Sequence, residues 1–230
     1  MELKASGLRV VAIVAHPDDE TLGCGATLAR LARSGARCRA VLAFHRTDAR
    51  GRRNWDELLR SFATACAILG CESRVDARRA ESGAGLDMQG LHDALVDEVE
   101  DADLVLTHWE GDTHQAHQAL AHAVEIATRP LRRTRDVLQF EVPSASDQGF
   151  RAAFLPNLCV PLERCDVEAQ ERALACYPME FAPGRTPADL TAHTAYRGRQ
   201  FGHEFAQVFR LARATWRIAP VADDASAART

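Results

Sequence analysis

An imidazole and three carboxylates fall within five consecutive residues, His16-Pro17-Asp18-Asp19-Glu20, directly after the apolar run Leu8–Val14. Imidazole nitrogen and carboxylate oxygen are ligands that Zn²⁺ prefers, and a further carboxylate is the base that metal-assisted hydrolysis needs. Pro17 removes a backbone donor and stiffens the turn, which helps aim His16 and Asp19 at one point. The competing account is structural: Asp18, Asp19 and Glu20 would favour the N-terminus of the next helix through its dipole. A second cluster, Thr107-His108-Trp109-Glu110-Gly111-Asp112-Thr113-His114-Gln115-Ala116-His117, tips the balance toward a metal site. His114 and His117 are three apart at a helix start, so their rings share one face. His16, Asp19 and one of these two histidines make three ligands with a fourth position open to water, the mark of catalytic zinc. Iron(II) and cobalt(II) suit the same nitrogen and oxygen set.

The elements that must position these residues alternate along the chain. Leu8–Ala15 is short and rich in β-branched residues, and reads as a buried strand. Thr21–Arg33 follows with helical spacing and stops near Ser34-Gly35, and Arg37–Phe44 reads as a second strand. Asn54–Leu69 predicts a helix with Leu58, Phe62, Ala65 and Leu69 on its buried face and Gly70 as its stop. Met88–Val99 predicts a helix, Asp103–Thr107 a short strand, His114–Thr128 a helix and Val137–Val142 a strand. This alternation specifies an α/β, Rossmann-like, mostly parallel sheet with helices on both faces, as a single domain over residues 1–230. Ligands in such sheets bind beyond the strands' carboxyl ends, where strand order reverses, so both clusters are expected on one rim. Pro143–Pro161 reads as a loop walling a cleft, Val167–Cys176 and Pro187–Ala214 as further helices, and Val221–Thr230 as a flexible tail.

Composition narrows the function. Hydrophobic residues at 47% and charged residues at 26% are ordinary for a soluble enzyme. A net charge of −4 argues against a general nucleic-acid binder, which needs a basic surface. Of the 28 basic residues only Lys4 is lysine, a bias that reads as genome composition rather than as a site. The seven cysteines, odd in number and without a Cys-x-x-Cys pair, suggest free thiols in a reducing compartment. No basic-then-apolar leader is evident, and no apolar run reaches the roughly 18 residues that span a bilayer. The expectation is a cytoplasmic protein with no membrane or nucleic-acid partner, and with room for a homo-oligomer.

The chain resembles the PIG-L/LmbE-type superfamily of zinc-dependent N-acetylglucosaminyl deacetylases. That family's first motif reads Ala/Gly-His-Pro-Asp-Asp-Glu, as Ala15–Glu20 does here. Its second reads roughly Thr-His-x-x-Gly-Asp-x-His-x-Asp-His, which Thr107–His117 follows in most positions. Ala67-Ile68-Leu69-Gly70, Phe140-Glu141-Val142-Pro143-Ser144, Pro156-Asn157 and Tyr196-Arg197-Gly198-Arg199-Gln200 extend the likeness through most of the chain. The resemblance implies His16, Asp19 and His117 as metal ligands, Asp18 as general base and His114 as partner of the developing oxyanion. It implies a small N-acetylated substrate: an amino sugar carried on a nucleotide, a glycan or a glycoside precursor, from which zinc-activated water removes the acetyl group. Three positions depart from the pattern: Ala116 replaces an Asp, Gln118 an Arg, and Ser61 a glutamate common in relatives. If the missing Asp normally fixes the tautomer of His114, chemistry slowed on the order of 10–100-fold is expected.

Two other functions fit parts of the pattern. A weak or inactive relative would bind N-acetyl sugars without turnover, with Ala116 as its best argument. A metal-dependent phosphoesterase would use two metals and several bridging carboxylates. Further substrate contacts are expected from Asp112, Glu141 and Arg53, although Asp112 and Glu141 also suit the support of a ligand histidine. Arg53 belongs to the basic stretch Arg50-Gly51-Arg52-Arg53, which could clamp a diphosphate. Trp109 would stack on a sugar or fill a gap beside the motif.

Overall fold

The pleat of the first strand explains the layers. In the computed structural model, which describes residues 4–46, 49–80, 88–131, 133–150 and 153–215 (backbone alone at 49–52 and 77–80), β1 spans Arg9–Val14. Side chains alternate across a strand. Val10, Ala12 and Val14 therefore enter one core and Val11 and Ile13 the other. The first core is closed by α1 (Asp19–Arg33), α2 (Ala49–Ile68) and α5 (Arg164–Leu174). The second is closed by α3 (Met88–Val99) and α4 (Gln115–Ala127), through Leu91, Leu95, Leu120 and Val124. Both faces of the strand are dry, which is why it reads as a continuous apolar run.

The remaining strands are β2 (Arg37–His45), β3 (Cys71–Ala80), β4 (Leu104–His108), β5 (Asp136–Phe140), β6 (Leu158–Leu162) and β7 (Phe205–Arg213), in the order β3-β2-β1-β4-β5-β7-β6. The first five pair in parallel, while β7 runs antiparallel between β5 and β6. The α/β expectation of a mostly parallel sheet with helices on both faces is met. No helix among the described residues is long and apolar enough to cross a membrane.

Two expectations are corrected. The helix expected over Pro187–Ala214 is α6 (Pro187–Gln200) followed by strand β7. Gly202, with φ +80°, reverses the chain between them, and Gly198 lets the start of the strand pass close by, where a Cβ would stand 2.8 Å from the Phe205 N and Cα. The loop expected over Pro143–Pro161 instead gives way at Leu158 to β6, an edge strand that tolerates Pro161. Strand β3, which no expectation from sequence covers, completes the opposite edge. The tail expected at Val221–Thr230 lies outside the described residues.

Candidate metal centre and active site

Strands β1 and β4 are neighbours, and the helices that follow them leave to opposite faces of the sheet. This is the switch point at which open α/β sheets bind ligands. The residues just past β1 and β4 converge there. Asp18, the N-cap of α1, sits at φ 107°, a left-handed backbone that a side chain rarely adopts. Its N–H donates to Glu20 Oε2 at 3.1 Å, which holds the turn. Glu20 is itself fully buried and takes hydrogen bonds on Oε1 from the Thr21 hydroxyl at 2.8 Å and the Tyr177 hydroxyl at 2.7 Å. Its role is thus to lock the turn rather than only to begin the helix.

Three donor atoms form a nearly equilateral triangle. His16 Nδ1, Asp19 Oδ2 and His117 Nε2 lie 3.3 Å from one another on each edge. An edge of that length belongs to a tetrahedron whose centre is about 2 Å from each vertex, the Zn–N and Zn–O bond length. The electrostatics call for a cation at the same point. Burial disfavours charge on His117, yet the carboxylates of Asp19 and Asp112 reverse this and pull its pKa up to about 10. Burial likewise opposes charge on Asp19, but the facing His117 ring holds its carboxyl well below the usual range. A divalent ion meets this demand as well as a proton does, so the donor set fits a metal.

His108 stands beside the triangle, with Nε2 3.4 Å from Asp19 Oδ2. That nitrogen already accepts the Ala15 N–H at 3.1 Å, so its lone pair is committed and it supports the site rather than binding an ion. Asp112 is buried behind His117, with Oδ1 3.2 Å from Nδ1, off the direction of a full hydrogen bond. It also accepts from the His114 N–H at 2.8 Å and from the Ser146 hydroxyl at 2.6 Å. Burial pushes the Asp112 carboxyl up, but these donors and His117 outweigh it and keep it ionised. A carboxylate behind a ligand histidine fixes the ring and raises its basicity.

A cavity of about 260 Å³ opens over the triangle and is bounded by Asp18, His114, Arg46 and Arg185. That volume holds one small ring and falls below the ~300–1,000 Å³ of sites for larger ligands. Burial pushes the Asp18 carboxyl up to about 7, against the Arg185 guanidinium, whose Nη2 is 3.0 Å from Asp18 Oδ2. His114 is the exposed N-cap of α4, and its Nδ1 accepts the Ala116 N–H at 3.3 Å. A neutral ring accepting at Nδ1 carries its proton on Nε2. A second cavity of about 300 Å³, bounded by Thr107, Gln139 and Arg210, lies away from these donors.

The family model described as GlcNAc-PI de-N-acetylase, PIG-L, matches residues 11–128. The chain belongs to the PIG-L family. Membership brings with it a deacetylase assignment, and the span matched contains both clusters. An uncharacterised deacetylase of Escherichia coli, YaiS, is 34% identical over 142 residues, covering 59% of this chain and 74% of YaiS. Among solved structures, N,N'-diacetylchitobiose deacetylase from Pyrococcus horikoshii superposes with a TM-score of 0.66 at 16% identity, over 88% of this chain and 83% of that one. GalB, the 4-carboxy-2-hydroxymuconate hydratase of Pseudomonas putida, gives 0.69 at 17% identity, over 92% and 100%. Likeness at such identities shows the fold alone, and the hydratase shows that this fold carries more than one chemistry. The family assignment therefore rests on the sequence match.

The other candidate residues are placed as follows. Glu141 is clamped by α6, receiving Arg197 Nε at 2.7 Å and Nη2 at 2.5 Å, with His193 Nε2 at 3.0 Å. It ties α6 to the end of β5 and does not line the cavity. Arg53 is exposed on α2 and also stands off the lining, while the side chains of Arg50 and Arg52 lie outside the described residues. Trp109 is buried against Phe154 and Val208, with Gly111 beneath its ring, and fills a gap. At the departures, Ala116 packs into the second core and Gln118 Nε2 donates to the Asp112 carbonyl at 2.5 Å. Arg185 and Arg46 were not singled out from sequence. Arg185 is 167 residues from Asp18, and no local pattern announces such a contact.

Proposed function

We propose that this protein is a zinc-dependent hydrolase that removes the acetyl group from an N-acetylated amino sugar. The observation that carries the reading is the triangle of His16, Asp19 and His117 with a buried, non-ligating carboxylate, Asp18, beside it. When bound, a divalent ion supplies Lewis acidity that makes water nucleophilic near neutral pH. Zinc suits the donor set, and iron(II) or cobalt(II) are chemically admissible.

Asp18 takes the proton of the attacking water as the new C–O bond forms. Its burial favours the neutral form, which a group that takes and then returns a proton must be able to reach. His114, with its proton on Nε2, donates to the oxygen that becomes negative. Asp18 then passes its proton to the nitrogen as the C–N bond breaks, leaving acetate and a free amine. In this chain the Ala116 N–H fixes the tautomer of His114, so a neutral donor replaces the Asp-supported ring expected of the family. Asp112 acts behind His117, and the small cavity takes the acylated ring while any larger appendage lies outside. The acetylated sugar acted on by the Pyrococcus relative supports this substrate class.

The test is a panel of N-acetyl sugars and sugar nucleotides assayed for free amine, with zinc present and after chelation. Amine release that is lost on chelation and in Asp18→Asn is expected. A His16→Ala protein releasing acetate at the wild-type rate overturns the reading.

A further inference from the structure

Two guanidinium groups, Arg46 and Arg185, wall a cavity that holds a single ring. Both oppose the effect of burial on Asp18, which occupies one donor of Arg185, and hydrolysis of a neutral acetamide asks nothing of their remaining donors. Arg46 is nearly buried and anchored by Glu180 Oε1 at 3.0 Å. Arg185 is held differently. Gly184, at φ +82°, reverses the chain just before it, and the Arg185 N–H closes that turn onto the Ala182 oxygen at 2.9 Å. Immediately after it, Thr186 caps α6 through a reciprocal pair with Asp189. The backbone that presents Arg185 is therefore fixed on both sides, while its side chain reaches the cavity partly exposed.

Its guanidinium is half used. Nη2 donates to Asp18, but Nε is buried and meets no acceptor. A buried N–H without a partner is costly, and an arginine presents its donors as a fork that matches two oxygens of one anion. Asp18 offers that fork a single oxygen. A bidentate oxyanion in the cavity would take the donors that Asp18 leaves open on the two terminal nitrogens and would hold the substrate beside the base.

We propose that Arg185 is a specificity-determining residue that recognises an oxyanion substituent, a carboxylate or a phosphate, on the acylated sugar. The inference rests on the deacetylase reading for the sugar but not for the anion. Arg185 lies outside residues 11–128, so the preference belongs to this chain's own C-terminal third.

The experiment compares the zinc-loaded wild type with R185Q and R185K. The probes are N-acetylglucosamine, its 6-phosphate and N-acetylmuramic acid, which separate the neutral, phosphate and carboxylate cases. Binding is measured by calorimetry and amine release in parallel, and thermal melting verifies that each variant folds. Wild type is expected to favour one anionic sugar over the neutral one on the order of 10–100-fold, expressed in binding and KM, as one hydrogen bond to a charged partner supplies. R185Q should bring that ratio close to one and R185K should retain part of it. An unchanged ratio in R185Q, no preference in wild type, or no binding of either anionic sugar overturns the inference. Arg185-dependent binding without amine release keeps it and sinks the deacetylase reading, whereas amine release indifferent to Arg185 does the reverse.

Discussion

The Tyr177 hydroxyl, just after α5, donates to Glu20 Oε1 at 2.7 Å and so reaches the turn that carries Asp18. Glu20 is the joint between the two. Its other oxygen accepts the Asp18 N–H, and that bond helps keep Asp18 in its left-handed backbone. A buried carboxylate here therefore serves geometry, at one remove from the reacting atoms.

Tyr177→Phe removes this donor and leaves a buried acceptor short of a partner. Such a loss costs about 1–3 kcal/mol. A lower urea midpoint with an unchanged slope is expected. An unshifted midpoint would show that Glu20 does not depend on the hydroxyl.

Removal of a triangle residue should remove the metal. His117→Ala and Asp19→Ala are expected to lower bound zinc from one per chain toward none, measured by elemental analysis after dialysis. Two equivalents in the wild type would favour two-metal phosphoester chemistry instead.

Asp112→Asn keeps the shape behind His117 and removes the charge. Partners of this kind contribute about 10–100-fold to metal affinity or activity. Competition with a chelator should show weakening in that range, with a smaller effect for Ser146→Ala. Equal affinity in Asp112→Asn would mean that Asp112 only closes the turn to His114.

Glu141 gives a pH signature of stability. Burial raises its carboxyl, but the bonds from His193 and Arg197 outweigh this and hold it below the ordinary value. A folded value below the unfolded one of about 4.3 means the stabilisation is complete above that pH and is lost as pH falls through the folded value. The advantage of wild type over Glu141→Gln should be constant above about pH 5 and shrink below about pH 4, read from urea unfolding at each pH. A difference that persists unchanged into acid would place its origin in packing.

Gly23→Ala tests how tightly the site is backed. A Cβ there would stand 2.2 Å from Phe140 Cδ2, and Phe140 is fully buried with its ring edge-on to His108 at 4.7 Å. Overpacking of this kind costs about 1–3 kcal/mol. A lower melting temperature is expected, together with weaker zinc binding as His108 shifts.

The sequence was most legible where one face or one pattern dominates. β1 announced itself because both its faces are dry, and α4 because Leu120, Val124 and Ala127 recur at helical spacing. β3 escaped notice because Cys71-Glu72-Ser73-Arg74-Val75-Asp76 is an edge strand, paired on one side and largely polar. β7 was absorbed into a helix because Phe205, Val208, Phe209 and Leu211 also satisfy a helical period, and the reversal at Gly202 was the signal to stop. The contacts of Arg185 with Asp18, and of His108 with the Ala15 N–H, join distant stretches through the fold, which no spacing rule can reveal.

The origin of the cavity's walls divides the molecule unevenly. The triangle residues, Asp18 and His114 all fall before residue 128, whereas Ser144, Gln148 and Arg185 come from the later chain. Selection could therefore rewrite what this protein accepts without touching the residues that would carry out the reaction. Lineages that diverge in substrate while keeping their chemistry would need only that arrangement.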